Sequence, residues 1–439
     1  MQELAARVRG MAQVPFARPV GSVQVVSQSG IAVSGLSRWV KLGSLVEIST
    51  PQGPELAEVI RLDQEVALCK PFQSQVSLGL AGSAYPRGDL EFHPHETWKG
   101  RIIDAMARPV DGKAHLARGA DSVRLSASPP TAMSRQVISK GIVTGVRVID
   151  AFTPICLGQR IGVFAGSGVG KSTLLSMLSR SPAFDSVIVS LVGERGREVR
   201  EFVEVTLGEA AGNAIVVVAT GDESAMMRRQ APLLATALAE HFRDHGQNVL
   251  LIMDSVTRYA HACREVALSA GEPPVARGYP PTVFTHLPQL LERAGPGEQG
   301  RGTITGIYAV LVDGDDHNDP VADTVRGTLD GHIVLDRAIG EQGRYPAVDL
   351  LASLSRLASR VWTADQAKAV TELKRLVARF EETRDLRAMG GYVQGGDMEL
   401  DRAIEIVPRL YRALSQSIGD AMSSEAFREI AAALSAENA

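Results

Sequence analysis

Aromatic residues make up only 5% of this 439-residue chain, cysteines number three, and no apolar run approaches membrane length. Each scarcity excludes something. Cys69, Cys156 and Cys263 are odd in number, far apart and without a Cys-x-x-Cys pair, which argues against a disulfide framework or a structural zinc site and suits a reducing cytosol. The longest apolar stretches, such as 214–219 and 249–253, are strand-sized, against the about 20 residues that a membrane-spanning helix needs. Residues 1–20 carry Arg7, Arg9 and Arg18 but no continuous apolar core, so no secretory signal is expected. Neither sign of charge dominates: 46 basic against 50 acidic residues leave a net −4, which speaks against a general nucleic-acid coat. A soluble cytoplasmic protein is the expectation.

Glycine, by contrast, is plentiful at 42 residues, too many for a plain helical bundle and too dispersed for a linker or collagen. The length predicts about three domains, and three rhythms follow one another. Residues 21–80 alternate short apolar runs (22–26, 45–48, 57–60, 65–68) with Gly, Ser, Pro and Asp clusters, the pattern of a small β-barrel or sandwich. From residue 159, non-alternating apolar strands are expected at 161–165, 186–192, 214–220, 248–254 and 304–311, with helices at 171–179, 197–211 and 225–243. Strands without alternation are buried on both faces, hence a mostly parallel sheet flanked by helices. After Val361 the signal is helical, and 399–418 carries an apolar face at Leu400, Ile404, Val407, Leu410 (with Tyr411), Leu414 and Ile418. The expected fold is therefore multidomain: an N-terminal arm (1–18), a β-barrel (19–92), an α/β phosphate-loop domain (93–360) and a C-terminal helical domain (361–439).

The sharpest local signal is Ala165-Gly166-Ser167-Gly168-Val169-Gly170-Lys171-Ser172-Thr173, set between an expected strand and an expected helix. Glycines let a backbone curl so that its N–H groups face phosphate oxygens, and a helix N-terminus adds positive potential. In such a loop Lys171 reaches the phosphates and the Ser172 hydroxyl ligates Mg2+. The first position is ordinarily glycine and here is alanine. A second Mg2+ anchor is commonly an Asp ending an apolar strand, which Asp254 supplies, acting through water; capping of the following helix is the alternative. Hydrolysis also needs a group that orients water. Glu194 follows strand 186–192, and setting that strand between the phosphate-loop strand and the Asp254 strand would bring Glu194 beside the γ-phosphate. A solvated glutamate in a charged loop is the competing reading.

These residues resemble one family. Gly158-Gln159-Arg160-Ile161-Gly162-Val163-Phe164 before the loop, Gly193-Glu194-Arg195, and Tyr345-Pro346-Ala347-Val348-Asp349 look like the hexameric ATPases related to the catalytic subunit of the rotary ATP synthase. Stretches 192–202, 271–284 and 350–356 are similar to the type III export branch, most of all the flagellum-specific export ATPases. The resemblance covers roughly residues 20–420. It implies that Glu194 is the catalytic glutamate, that Arg195 and Arg258 lie near the γ-phosphate, and that Tyr345 stacks on adenine. It implies too that Arg356 is an arginine finger given to a neighbouring subunit's site. Read without the family, Tyr345 is a core tyrosine and Arg356 a surface salt-bridge residue.

The resemblance further implies a homohexamer using ATP and Mg2+ and a central coiled-coil stalk protein. A peripheral stator or regulator, an export gate at the membrane and chaperone–substrate complexes complete the implied partners, nucleic acid not among them, and the chain is expected at the inner face of the cytoplasmic membrane when docked to the export apparatus. The acidic stretch 313–320, with Asp315, Asp316, Asn318 and Asp319, is either a solvated turn or, by the resemblance, the pore loop that touches the stalk. An acidic pore repels nucleic acid and attracts a basic helix. Alternatives are an injectisome ATPase, a rotary proton or sodium ATPase subunit, and an RNA-translocating hexamer, the last disfavoured by few aromatics for base stacking. His93-Pro94-His95 has no further ligand set to make a metal site. Residues 226–229 (Met-Met-Arg-Arg) read as a helix start with a solvated charged face.

Overall fold

The computed structural model describes residues 18–74, 79–312 and 319–435, and all structural statements below concern these residues. They form two compact units. One holds the described residues up to Leu90 together with Glu223–Met227 and Ala262–Pro280; the other holds Glu91–Asp222, Arg228–His261 and the described residues from Pro281 onward.

In the first unit, six antiparallel strands close into a barrel. Their order around it is Gly21–Val26, Ile31–Ser34, Val66–Pro71, Gly53–Leu62, Leu45–Thr50 and Ser83–Arg87, which pairs back to the first. Alternate residues point inward, and Val23, Val33, Val46, Ile48, Val59 and Cys69 fill the interior. Closure leaves no unpaired edge. Ser83–Arg87 carries Pro86, which donates no hydrogen bond and so weakens the strand signal in the sequence; it nonetheless pairs opposite Val46. Ala262–Pro280 joins this unit through Lys70, whose ammonium donates to Ser269 Oγ at 2.6 Å.

The second unit is built on a nine-stranded sheet. Across it run Leu354–Ser355, Gly331–Leu335, Arg160–Ala165, Thr303–Leu311, Asn248–Asp254, Ser186–Val192, Ala214–Ala219 and Arg101–Asp104. The strands from Gly331–Leu335 to Arg101–Asp104 are parallel, while Leu354–Ser355 pairs antiparallel at one margin and Gly295–Pro296 off Thr303–Leu311. Every residue of Ser186–Val192 and Ala214–Ala219 is buried, as their unbroken apolar sequence requires.

This order corrects one expectation. The strand that leads to Glu194 does not lie between the phosphate-loop strand and the Asp254 strand. Thr303–Leu311 takes that place, and Ser186–Val192 lies on the far side of Asn248–Asp254. A late strand inserts between earlier ones because parallel neighbours are joined by crossovers, whose destination is not written in the strand's own residues.

Helices flank the sheet much as periodicity predicts, with two differences. The expected helix 197–211 is broken into a short helix Gly196–Glu201, a π-helical turn Phe202–Leu207 and a 3-10 turn Gly208–Asn213. The wide turn buries Phe202, Thr206 and Leu207, and Ser176 Oγ donates to the Thr206 carbonyl. The C-terminal helix Met398–Leu414 stops earlier than expected, so Ile418 lies beyond it. Asp397 caps its start and Ser415 its end, and Leu400, Val407, Leu410 and Leu414 face inward while Ile404 is only half-buried. Ala364–Glu382 begins with a Thr363/Gln366 capping box, worth about 1 kcal/mol. Val370, Leu376, Val407, Leu410 and Ile430 join one continuous core with Ile149, Leu174 and Ile333. Helix Ala225–Asp244 begins as the 226–229 pattern predicts, but Met226 is buried and both arginines are half-buried rather than solvated. Among the described residues no helix is long and apolar enough to cross a membrane.

Candidate active site

The phosphate loop lies where a buried strand gives way to a helix. Arg160–Ala165 ends at Ala165, which is 1% exposed and whose carbonyl accepts the Val312 amide at 3.1 Å. Ala165 pairs with Leu311 on one side and Leu335 on the other and is absent from the positive-φ residues. An alanine is therefore at ease in this first position, because the chain is still strand there. The turn comes later, at Gly168 (φ 76°) and Gly170 (φ 91°), a region that side-chain-bearing residues avoid. Between them Val169 is 3% exposed and anchors the loop in the core. Gly170 stands at the N-terminus of helix Lys171–Ser179, whose Leu174, Leu175 and Leu178 are buried against the sheet. Ser167 and Ser172 face solvent, and Thr173 is half-buried.

Three ionisable side chains converge above this loop. The Lys171 ammonium pairs with Asp254 Oδ1. Asp254 ends strand Asn248–Asp254 and does not cap helix Val256–Ser269; Ser255 Oγ does so, accepting from the Arg258 amide at 3.3 Å. Glu194 is half-buried. Burial, reinforced by the Asp254 carboxylate, pushes its carboxyl up to about 7, against the opposing pull of Lys171 and Arg258. A solvated glutamate would show no such shift. Glu194 also shares a hydrogen bond with Glu198.

The backbone beneath Glu194 explains its position. Gly193 has φ 70°, and a Cβ there would meet the Arg258 side chain at 3.2 Å. Its amide donates to Ala219 O at 2.7 Å, while the Glu194 carbonyl accepts from Gly221 at 3.0 Å. The turn is thus tied to the end of strand Ala214–Ala219 on one side of the glutamate and to the turn after that strand on the other. Arg258 packs its stem on Gly193, with the residue itself exposed. Arg195 is exposed and makes a 3.7 Å ion pair with Glu198.

Tyr345 is no core residue: it is 43% exposed, and its ring lies 3.5 Å from where a Cβ of Gly170 would stand. Its carbonyl accepts the Gln416 amide at 2.8 Å, so the C-terminal segment fixes its height over the loop. Tyr411, Leu414 and Pro346 share a small hollow with it. The Arg344 guanidinium stacks 3.7 Å from the Tyr411 ring centroid, and the Tyr411 hydroxyl donates to Glu381 at 2.6 Å.

Arg356 lies elsewhere. Its amide donates to the Asp330 carbonyl at 3.0 Å, and the Asp330 amide donates to the Arg160 carbonyl at 2.9 Å. Arg160 starts the strand that Ala165 ends, so Arg356 sits about 16 Å away along the sheet at ~3.3 Å per residue. It is exposed and has no ion pair among the described residues.

Asp315, Asp316 and Asn318 lie outside the described residues. Asp319 caps helix Pro320–Thr328, accepting from the Val321 and Ala322 amides at 2.9 and 3.0 Å. His93 and His95 are committed to other partners, Arg118 at 2.6 Å and the Thr97 amide at 3.2 Å.

Two contacts escaped the sequence reading. Arg337 donates to the Ser167 carbonyl at 3.1 Å, and with Glu341, Leu335 and Val312 it walls a cleft of about 280 Å3 beside Gly166. Tyr411, whose ring lines the hollow beside Tyr345, is the other. Neither carries a motif; the only signal was position, just after a buried strand for Arg337 and on an amphipathic helix for Tyr411.

Comparison with known proteins bears on this constellation. Residues 145–355 match the ATP synthase alpha/beta family, nucleotide-binding domain, and residues 362–434 match the EscN-type C-terminal domain of type III secretion ATPases. A flagellum-specific ATP synthase of Rhizobium meliloti (strain 1021) is 55% identical over 434 residues, covering 99% of this chain and 93% of that protein. The assembled ATPase EscN of the enteropathogenic E. coli type III secretion system has a similar structure (TM-score 0.88, 39% identity), over 94% of this chain and 100% of that one. EscN in complex with its central stalk EscO is comparably similar, with TM-score 0.86, 38% identity and the same coverage.

Proposed function

The chain belongs to the family of flagellum-specific and type III secretion ATPases, and on that premise we propose that it hydrolyses Mg-ATP in a homohexameric ring to energise protein export during flagellum assembly. The observation that carries this reading is the convergence of Glu194, Lys171 and Asp254 above the phosphate loop. Glu194 orients and polarises the attacking water, and a carboxyl poised near neutrality suits a proton acceptor. Lys171 and the amides of Gly166–Thr173 hold the phosphates, while Arg195 and Arg258 add positive charge beside Glu194. Tyr345, flanked by Tyr411 and Pro346, takes the adenine ring.

The donor set fits a magnesium ion, since the exposed Ser172 hydroxyl and the Asp254 carboxylate are hard oxygen ligands. They would hold it, Asp254 through water. Bound there, magnesium neutralises charge on the β- and γ-phosphates.

Arg356 serves the site of the neighbouring subunit. Its position at the opposite end of the strand from its own phosphate loop supports this, because a stretched arginine side chain covers less than half the intervening distance. A finger of this kind is worth about 10³–10⁵ in rate, so an isolated chain should turn over slowly. The likeness to EscN with its stalk supports a central stalk partner, with Asp315, Asp316, Asn318 and Asp319 near it. A stator or regulator, an export gate at the membrane, and chaperone–substrate complexes complete the reading, with the chain docked at the inner face of the cytoplasmic membrane. The flagellar assignment rests on the 55% identical relative.

The test is Glu194→Gln. The purified variant should bind nucleotide like the wild type and hydrolyse none, and cells carrying it should export no filament protein. Undiminished turnover removes Glu194 from the chemistry; lost turnover with normal filament assembly removes the export role.

A further inference from the structure

Helix Ala225–Asp244 ends beside a cluster that the ATPase chemistry does not use. His241 and His245 are four residues apart, their ring centroids 4.3 Å from each other. Asp121 approaches from the segment before strand Val123–Arg124. One ligand atom from each of the three lies within 4.8 Å of the other two.

The hydrogen bonds fix which atoms are available. His245 Nδ1 is 2.8 Å from the His241 carbonyl. A carbonyl only accepts, so Nδ1 carries the proton and a neutral ring presents its Nε2 lone pair. That lone pair faces Asp121 Oδ2 at 3.2 Å. Two acceptors in that relation repel unless a cation stands with them, either a proton on Nε2 or a metal ion. A backbone carbonyl taking the distal N–H is also how proteins orient metal-bound histidines. Glu96 is engaged elsewhere, accepting from Gln247 at 2.6 Å and pairing with Lys99 at 2.8 Å, so it adds negative potential without competing as a ligand. His245 and Asp121 are half to two-thirds exposed, which leaves them free to close on an ion. Ligands on tetrahedral zinc lie about 3.4 Å apart, so the required movement is roughly an ångström of side-chain rotation.

We propose that Asp121, His241 and His245 form a site for a first-row divalent cation of the zinc class, with a remaining position open to water. Two imidazoles and one carboxylate suit zinc over magnesium, which prefers oxygen ligands. An ion held there would staple the Asp121 segment to the end of helix Ala225–Asp244, apart from the phosphate loop.

The test uses the untagged full-length chain without nucleotide. Zn2+ is titrated by calorimetry, and Co2+ is followed by its visible absorption. The expected result is one Zn2+ per chain and a tetrahedral Co2+ spectrum. Either His241→Ala or His245→Asn weakens Zn2+ binding at least about tenfold, and Asp121→Asn weakens it as well. His245 is exposed, so His245→Asn should leave Mg-ATP hydrolysis and metal-free melting unchanged. Zn2+ affinity equal in wild type and the His241→Ala/His245→Asn double variant would overturn the proposal and leave a protonated His245–Asp121 ion pair in its place.

Discussion

The Arg356 amide donates to the Asp330 carbonyl at 3.0 Å, and Asp330 is itself gripped by Arg160 through paired 3.1 Å hydrogen bonds. The arginine's backbone is thereby bolted to the start of the phosphate-loop strand while its guanidinium stays exposed. A rigid base with a free charged tip suits a group that serves another chain. Arg356→Ala should lower kcat by about 10³-fold or more, with nucleotide affinity of the isolated chain unchanged. Steady-state kinetics beside equilibrium binding of a fluorescent nucleotide separates the two.

Ala165 makes a different test. Because it is the last strand residue, with neighbours on both sides, restoring glycine there gains no backbone freedom that the loop uses. Ala165→Gly should lose about 0.5–1 kcal/mol of stability and leave kcat within a factor of about two. Urea denaturation and an ATPase assay check both halves.

The Tyr345 ring, half-exposed over Gly170, should act on binding more than on chemistry. Base–aromatic stacking is worth about 1–3 kcal/mol, so Tyr345→Ala should raise KM for ATP roughly 5- to 150-fold while kcat changes little. Tyr345→Phe should keep the wild-type value.

Glu194 has a pH signature in the nucleotide-free chain. Its folded carboxyl is raised to about 7, above the unfolded value near 4.5. The fold therefore favours the protonated form, so the stabilisation is fully present below about 4.5 and is lost as pH rises through 7. Asp150, pushed up to about 6 mainly by burial, acts in the same direction. The difference between wild type and Glu194→Gln isolates the glutamate. The variant should gain relative stability from pH 5 to pH 8, measured by urea midpoints.

How much of this was legible in the sequence depended on range. The strand–loop–helix around Gly166–Thr173 was readable because its apolar run, glycines and Lys171 are consecutive, as was the burial of Ser186–Val192. Sheet order was not, since the placement of Thr303–Leu311 beside Arg160–Ala165 depends on pairing across more than 130 intervening residues. The break after Glu201 was hidden because 197–211 has helical composition, and the structure interrupts it with the wide turn at Phe202–Leu207 and with Gly208 at φ 49°. The roles proposed for Tyr345 and Arg356 rest on family likeness; the structure adds that Tyr345 is 43% exposed and that Arg356 is exposed. Arg337 was missed because a single arginine after a strand has no pattern.

If Glu194 of one chain and Arg356 of its neighbour complete one site, chains that each lack one of the two should complement each other. Purified Glu194→Gln and Arg356→Ala chains, mixed in equal amounts, make that test. Each variant alone should be inactive, while random mixed rings restore a complete site at about a quarter of their interfaces, so ATPase activity should reappear on mixing. A mixture that co-assembles yet stays as inactive as its components would contradict the shared site.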